Sequence, residues 1–242
     1  MENLELLTST ENKITKRERK LIETIINGSE KIEFADFDSF ELERLRLALS
    51  DLEDIPYIIK AINFVIHKKI PALFTHHMRT GFLGERVANN MGLNQENSSK
   101  VRNGLMIHDV GKWDWPKKLH DSNFPASIDQ FASHPLVGEK MLDENTDLLD
   151  DIYLRQIVRN HHSKLDGSGY PEDIVGIRLF ITTQIATVID MYDAMTNRSF
   201  NQNRTYFGKL SPNSALEILY TEAKNGKINP DVVEALNETI QL

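Results

Sequence analysis

The sequence predicts an all-α protein. Apolar residues recur at three- and four-residue spacing along nearly the whole chain. No stretch sustains the two-residue alternation of a half-buried strand, and prolines and glycines stand where helices would start and stop. In chain order, Leu21, Ile22, Ile25 and Ile26 form one stripe, with Thr15 and Glu18 spaced as a capping box ahead of it and Gly28 as its stop. Leu42, Leu45, Leu49 and Leu52 form a second stripe that ends before Pro56. Ile58, Ile59, Ile62, Val65 and Ile66 form a third. Leu149, Ile152, Ile157 and Val158 give the apolar face of a helix closed by His161 and His162, and Ile185, Val188, Ile189 and Met191 mark another. Ser211-Pro212 and Asn229-Pro230 each read as an N-cap followed by proline at the first helical position. Asn225-Gly226 follows the stripe Ala215, Leu216, Leu219, Ala223 and reads as its C-terminal stop rather than as a hairpin turn.

Composition narrows the function. With 40% hydrophobic and 26% charged residues in 242, the balance is that of a globular chain. No apolar run approaches a bilayer span and no basic-then-apolar segment opens the chain, so a soluble, unsecreted, cytoplasmic protein is expected, with no membrane partner. The absence of cysteine excludes disulfides, thiolate metal sites and a cysteine nucleophile. A formal charge of −8 argues against a nucleic-acid polymer as partner, because phosphate backbones reward clustered Lys and Arg. A small phosphorylated ligand is compatible with that charge when metal ions supply positive charge locally.

Six of the eight histidines fall in clusters: His76-His77, His108, His134 and His161-His162, with Asp109 directly after His108. Imidazole nitrogens and carboxylate oxygens suit Mn, Fe and Zn, and a carboxylate can bridge two ions with its two oxygens. Ions about 3.5–4 Å apart clamp the attacking and leaving oxygens of a phosphoryl displacement. Taken singly, each histidine would read as a hydrogen-bonded core or surface residue. Successive helical residues point about 100° apart, so only one of His76 and His77 is expected to be a ligand. After His161-His162 the run Asp166-Gly167-Ser168-Gly169-Tyr170-Pro171 forms a tight loop whose glycines permit sharp turns and close approach to a ligand.

The stretch from His161 to Pro171 is similar to the signature of HD-GYP phosphohydrolases, in which two histidines, a glutamate and a basic residue precede Asp-Gly-x-Gly-Tyr-Pro. His76-His77-Met78-Arg79 resembles the family's His-x-x-Arg segment, and His108-Asp109 with Gly111 and Lys112 resembles its His-Asp-x-Gly-Lys core. His134-Pro135 with Gly138, and Asp190 through Thr196, resemble the family's His-Pro-x-x-Gly and Asp-x-x-Asp-Ala-x-Thr helices. The resemblance implies an HD-domain helical bundle over residues 66–242 with a C-terminal HD-GYP helical extension, preceded by a short helical lead-in over residues 1–65. It implies metal ligands at His76, His108, Asp109, His134, His161, His162 and Asp190, with Asp109 bridging two divalent transition-metal ions, Fe or Mn before Zn. The family's optional third ion uses an acidic residue where this chain has Ala72, so two ions are expected. Lys112 and Asp109 are the implied catalytic residues, and Lys112, Lys164, Asp166, Tyr170 and Arg198 the implied substrate contacts.

Departures from the family pattern are Ser163 for glutamate, Lys164 for arginine, Gln184 for arginine, Phe180 for proline, and Asn201 near a usual basic position; none removes an implied ligand. The reaction this implies is hydrolysis of a cyclic dinucleotide, cyclic di-GMP ahead of cyclic GMP–AMP, to a linear dinucleotide or to mononucleotides. Two alternatives stand beside it: a phosphohydrolase of another nucleotide, and a weakly active regulatory protein whose site mainly binds. A protein partner through the Gly-Tyr-Pro loop, and a homodimer through the lead-in, are left open.

Overall fold

The computed structural model describes residues 15–26, 54–113, 115, 128–171, 179–197 and 209–241. The stripe from Leu42 to Leu52, the stop at Gly28, and Arg198 and Asn201 lie outside the described residues. Among the described residues the regular structure is helical: α1 (Lys16–Ile26), α2 (Tyr57–Lys69), α3 (Pro71–Asn90), α4 (Gln95–Leu105), α5 (Ile128–Asn145), α6 (Ile152–Asn160), α7 (Ile181–Thr196), α8 (Pro212–Lys224) and α9 (Pro230–Gln241). A 3₁₀ turn, Val110–Lys112, follows α4, and another, Leu148–Asp150, precedes α6. The fold is all-α, as the periodicity predicts. No helix among the described residues is long and apolar enough to cross a membrane.

Helix ends follow the side chains the sequence places there. The Thr15 amide donates to Glu18 Oε2 at 2.6 Å and the Glu18 amide donates back to Thr15 Oγ1 at 3.2 Å, the reciprocal capping box that starts α1. Ser211 accepts from the Ser214 amide ahead of Pro212, and Asn229 Oδ1 accepts from the Asp231 amide ahead of Pro230. The Arg17 guanidinium donates to the carbonyls of Asp143 and Glu144, satisfying acceptors that the end of α5 leaves open. Leu21 and Ile22 are buried in this chain's own core beside α2 residues, so α1 packs on α2 and α5.

Two apolar clusters form. Ile58, Ile59, Ile62, Val65 and Ile66 of α2 centre the first, which also takes Leu73, Met106, Ile107, Leu142 and Val158. Ile185, Val188 and Ile189 of α7 centre the second, with Val87, Leu105, Ile157 and apolar residues of α8 and α9. Each fully buried aliphatic side chain contributes about 1.5–3 kcal/mol. Helices α3 and α6 supply residues to both clusters, as do α4 and the turn after it taken together. The histidine-bearing positions 76, 108 and 161 sit on or beside these shared elements, where the backbone is held from both sides.

Candidate metal centre

Five elements bring the imidazoles and carboxylates together: α3 with His76, the turn after α4 with His108 and Asp109, α5 with His134, the end of α6 with His161 and His162, and α7 with Asp190. His108, His134, His161 and Asp109 are at most 1% exposed, and His76 and Asp190 are nearly as buried. Two groups in this cluster could hold an ion: His76, His108 and Asp109, and Asp109, His134, His161 and His162.

Asp109 is the hinge between them. Its Oδ2 lies 3.6 Å from His76 Nε2 and 3.5 Å from His108 Nε2, while its Oδ1 lies 2.9 Å from His134 Nε2 and 3.5 Å from His161 Nε2. One carboxylate therefore turns each oxygen to a different imidazole pair. Asp190 Oδ1 lies 3.2 Å from His76 Nε2, and its Oδ2 lies 3.8 Å from His162 Nδ1. Lys112 Nζ donates to Asp109 Oδ2.

The donor set fits divalent metal. His108 Nδ1 lies 2.7 Å from the Leu105 carbonyl, His161 Nδ1 lies 3.1 Å from those of Ile157 and Val158, and His76 Nδ1 lies 2.7 Å from Asp193 Oδ2. Those acceptors take the Nδ1 hydrogen and leave Nε2 of each ring as the atom turned to the cluster. His76 Nε2 faces His108 Nε2 at 3.2 Å, and His134 Nε2 faces His161 Nε2 at 3.2 Å. That separation is close to the one between two nitrogens each bonded at about 2.0–2.1 Å to one ion. Asp109 Oδ1 is buried and accepts no well-aligned hydrogen bond.

Electrostatics follow from this crowding. Burial and the nearby Lys112 push His134 down to about 3, and burial with neighbouring imidazoles holds His162 well below its ordinary value. Burial opposes charge on His76 too, but Asp190 and Asp193 outweigh it and raise this ring to about 9. Burial would raise Asp109, yet Lys112 and His108 keep it well below the usual carboxylate range.

The other implied residues divide. Tyr170 is at the cluster, its ring centroid 4.5 Å from that of His162 and 6.3 Å from that of His134. Lys164 is directed to α7, with Nζ 2.8 Å from Met191 Sδ. Asp166 is exposed, and its carboxylate accepts the Ser168 amide at 3.0 Å and hydroxyl at 2.6 Å, closing the loop on itself. Gly169 turns at φ +95, where a Cβ would stand 2.2 Å from the His162 carbonyl oxygen, so a side chain there would displace a cluster histidine. His77 turns away from the cluster's nitrogens, with Nδ1 2.9 Å from Asn63 Oδ1. The departures Ser163 and Gln184 line one small surface cleft, together with Leu165, Leu179 and Asn229 but with none of the implied ligands.

Asp193, the second aspartate of the Asp-x-x-Asp helix, is a site residue whose role the sequence leaves unassigned. Besides His76 it receives Arg79, Nε to Oδ1 at 2.6 Å and Nη2 to Oδ2 at 2.8 Å, and Asn197 Nδ2 to Oδ1 at 3.0 Å. A carboxylate so anchored fixes the ring of His76 and raises its basicity. The signal was present as an acid three residues after Asp190 inside an apolar run.

A model of the HD domain family matches residues 60–232. The chain is similar to 3'3'-cGAMP-specific phosphodiesterase 1 of Vibrio cholerae, 25% identical over 189 residues that cover 76% of this chain and 42% of the relative. It is similar to a cyclic di-GMP phosphodiesterase of Thermotoga maritima, 25% identical over 191 residues that cover 77% of this chain and 50% of the relative. The chain thus spans half or less of the length of these curated relatives. Among solved structures its fold resembles Bd1817, a HDG"Y"P protein from Bdellovibrio bacteriovorus, with TM-score 0.56 and 15% identity, over 100% of this chain and 78% of that one.

Proposed function

The chain belongs to the HD domain family, and from that premise we propose that it is an HD-GYP-type metal-dependent phosphodiesterase that opens a cyclic dinucleotide, cyclic di-GMP or cyclic GMP–AMP. The observation that carries the reading is Asp109, with one oxygen turned to His76 and His108 and the other to His134 and His161. That division suits two ions sharing one carboxylate, with His162 and Asp190 completing the set. Fe or Mn suits nitrogen and carboxylate donors without thiolate. Bound there, the ions supply Lewis acidity toward phosphate and acidify water to near-neutral pKa.

The reaction adds water to phosphorus and breaks one ester P–O bond. The proton goes to the departing ribose oxygen and leaves a linear dinucleotide. Lys112, held beside the phosphate position by Asp109, either neutralises a non-bridging oxygen or protonates the leaving one. The Tyr170 hydroxyl, on a ring packed against His162, donates to a second non-bridging oxygen. Asp193 and the backbone carbonyls of Leu105, Ile157 and Val158 keep the imidazoles oriented throughout. Names of relatives that act on cyclic di-GMP and cyclic GMP–AMP support this substrate class.

The test incubates full-length protein, stripped and reloaded with Mn or Fe, with each dinucleotide and identifies products by mass spectrometry. Metal-dependent formation of linear dinucleotide is expected. Tight binding without cleavage by fully loaded protein would instead make it a regulatory binding protein.

A further inference from the structure

Two tryptophans follow Lys112 two residues apart, and the fold sends them to different places. Trp113 packs against the first core, with the Lys69 ammonium 4.9 Å from its ring centroid. Trp115 is turned to the metal centre: its ring stands nearly perpendicular to that of His134 with centroids 5.9 Å apart, and Lys112 Nζ lies 5.6 Å from its centroid. The Trp115 amide donates to the Lys112 carbonyl at 3.1 Å, closing the turn that sets the indole there. The side chain remains partly exposed.

An indole is no ligand for a cation through its nitrogen, which only donates. What Trp115 adds at the rim of the centre is a broad π-face beside the ammonium best placed for phosphate. In a cyclic dinucleotide every phosphate is flanked by two nucleosides, so whatever borders the phosphate meets a base. Resting on the function proposed above, we infer that Trp115 is the stacking platform for one purine base of the substrate while Lys112 addresses the adjoining phosphate. Stacking uses a face that every base has, so it is tolerant of base identity. Trp115 then selects dinucleotides over base-free phosphodiesters and does not separate guanine from adenine.

The experiment measures binding by calorimetry and tryptophan fluorescence, using metal-loaded full-length protein and non-hydrolysable phosphorothioate analogues of cyclic di-GMP and cyclic GMP–AMP. Trp115→Ala is expected to weaken both analogues by a similar factor, about ten- to hundredfold, with metal content and affinity for inorganic phosphate unchanged. Trp115→Phe, which keeps a smaller ring, should recover most of that loss. In Trp113→Phe the remaining indole should still be quenched by either analogue. Undiminished analogue binding in Trp115→Ala overturns the platform alone. Equal weakening of analogue and inorganic phosphate also overturns it, because the residue would then only shape the centre. If wild-type protein binds neither analogue, the proposed function falls and the platform with it.

Discussion

Asp109 stands between two imidazole pairs, so deleting its carboxylate should dissolve both halves of the centre together. Asp109→Ala is expected to lose nearly all bound metal and turnover while the helical circular dichroism persists; wild-type metal content in that variant would refute a shared carboxylate. His77 is the contrast. Its ring is fully buried and bound to Asn63, so His77→Ala should cost about 1–3 kcal/mol of stability yet keep the metal. A subtler effect is expected at Asp193, which touches His76 and Arg79 but no other implied ligand. Asp193→Asn should weaken metal binding by about 10–100-fold and, by taking the charge that faces His76 and Arg79, also lower the melting temperature of the metal-free protein. Titration against a chelator of known affinity would show it, and unchanged affinity would reduce Asp193 to a partner for Arg79.

Between elements, the decisive contact joins the 3₁₀ turn Val110–Lys112 to α5. A Cβ on Gly111 would lie 2.0 Å from the His134 carbonyl oxygen and 2.7 Å from the Gly138 amide nitrogen, both backbone atoms that cannot rotate aside. Gly111→Ala must therefore push α5 off the turn and carry His134 away from Asp109. The expected result is loss of metal and a lower melting point, and an unchanged metal stoichiometry would contradict it. This contact was not legible in the sequence, where Gly111 and His134 are separated by a long stretch and only the crossing of two elements brings them together. The helices themselves were legible, because Ile58, Ile59, Ile62, Val65 and Ile66 repeat along one stripe and all are buried. The ligand-type residues were legible through their motifs. Their orientation was not: that His76 rests on Asp193 depends on how α3 crosses α7, and that Asp166 closes on Ser168 reflects a local hydrogen bond competing with an outward-facing role.

For the molecule as a whole, the centre links stability to protons and to metal. Without metal, burial keeps His77, His134, His161 and His162 from protonating at their ordinary value, with His134 at about 3. The unfolded chain takes up those protons below 6.5, so stability present above that pH is lost as pH falls toward 3. His76 acts in the opposite sense: despite burial, Asp190 and Asp193 hold it at about 9, and its contribution is present below 6.5 and lost as pH rises through 9. Metal-free protein should thus melt highest near neutral pH and markedly lower at about pH 5. Mn at about a hundredfold over its Kd should add about 2.7 kcal/mol at neutral pH, and a scanning calorimeter that finds neither effect would detach the centre from the fold. The dispersal of the donors over five elements also has a bearing on the protein's birth. A chain still on the ribosome has, until α7 has emerged, His76 without Asp190 and without the Asp193 that orients it. The centre therefore gains its last carboxylate, and His76 its orienting partner, only once synthesis has passed α7, the last of the five elements to leave the ribosome.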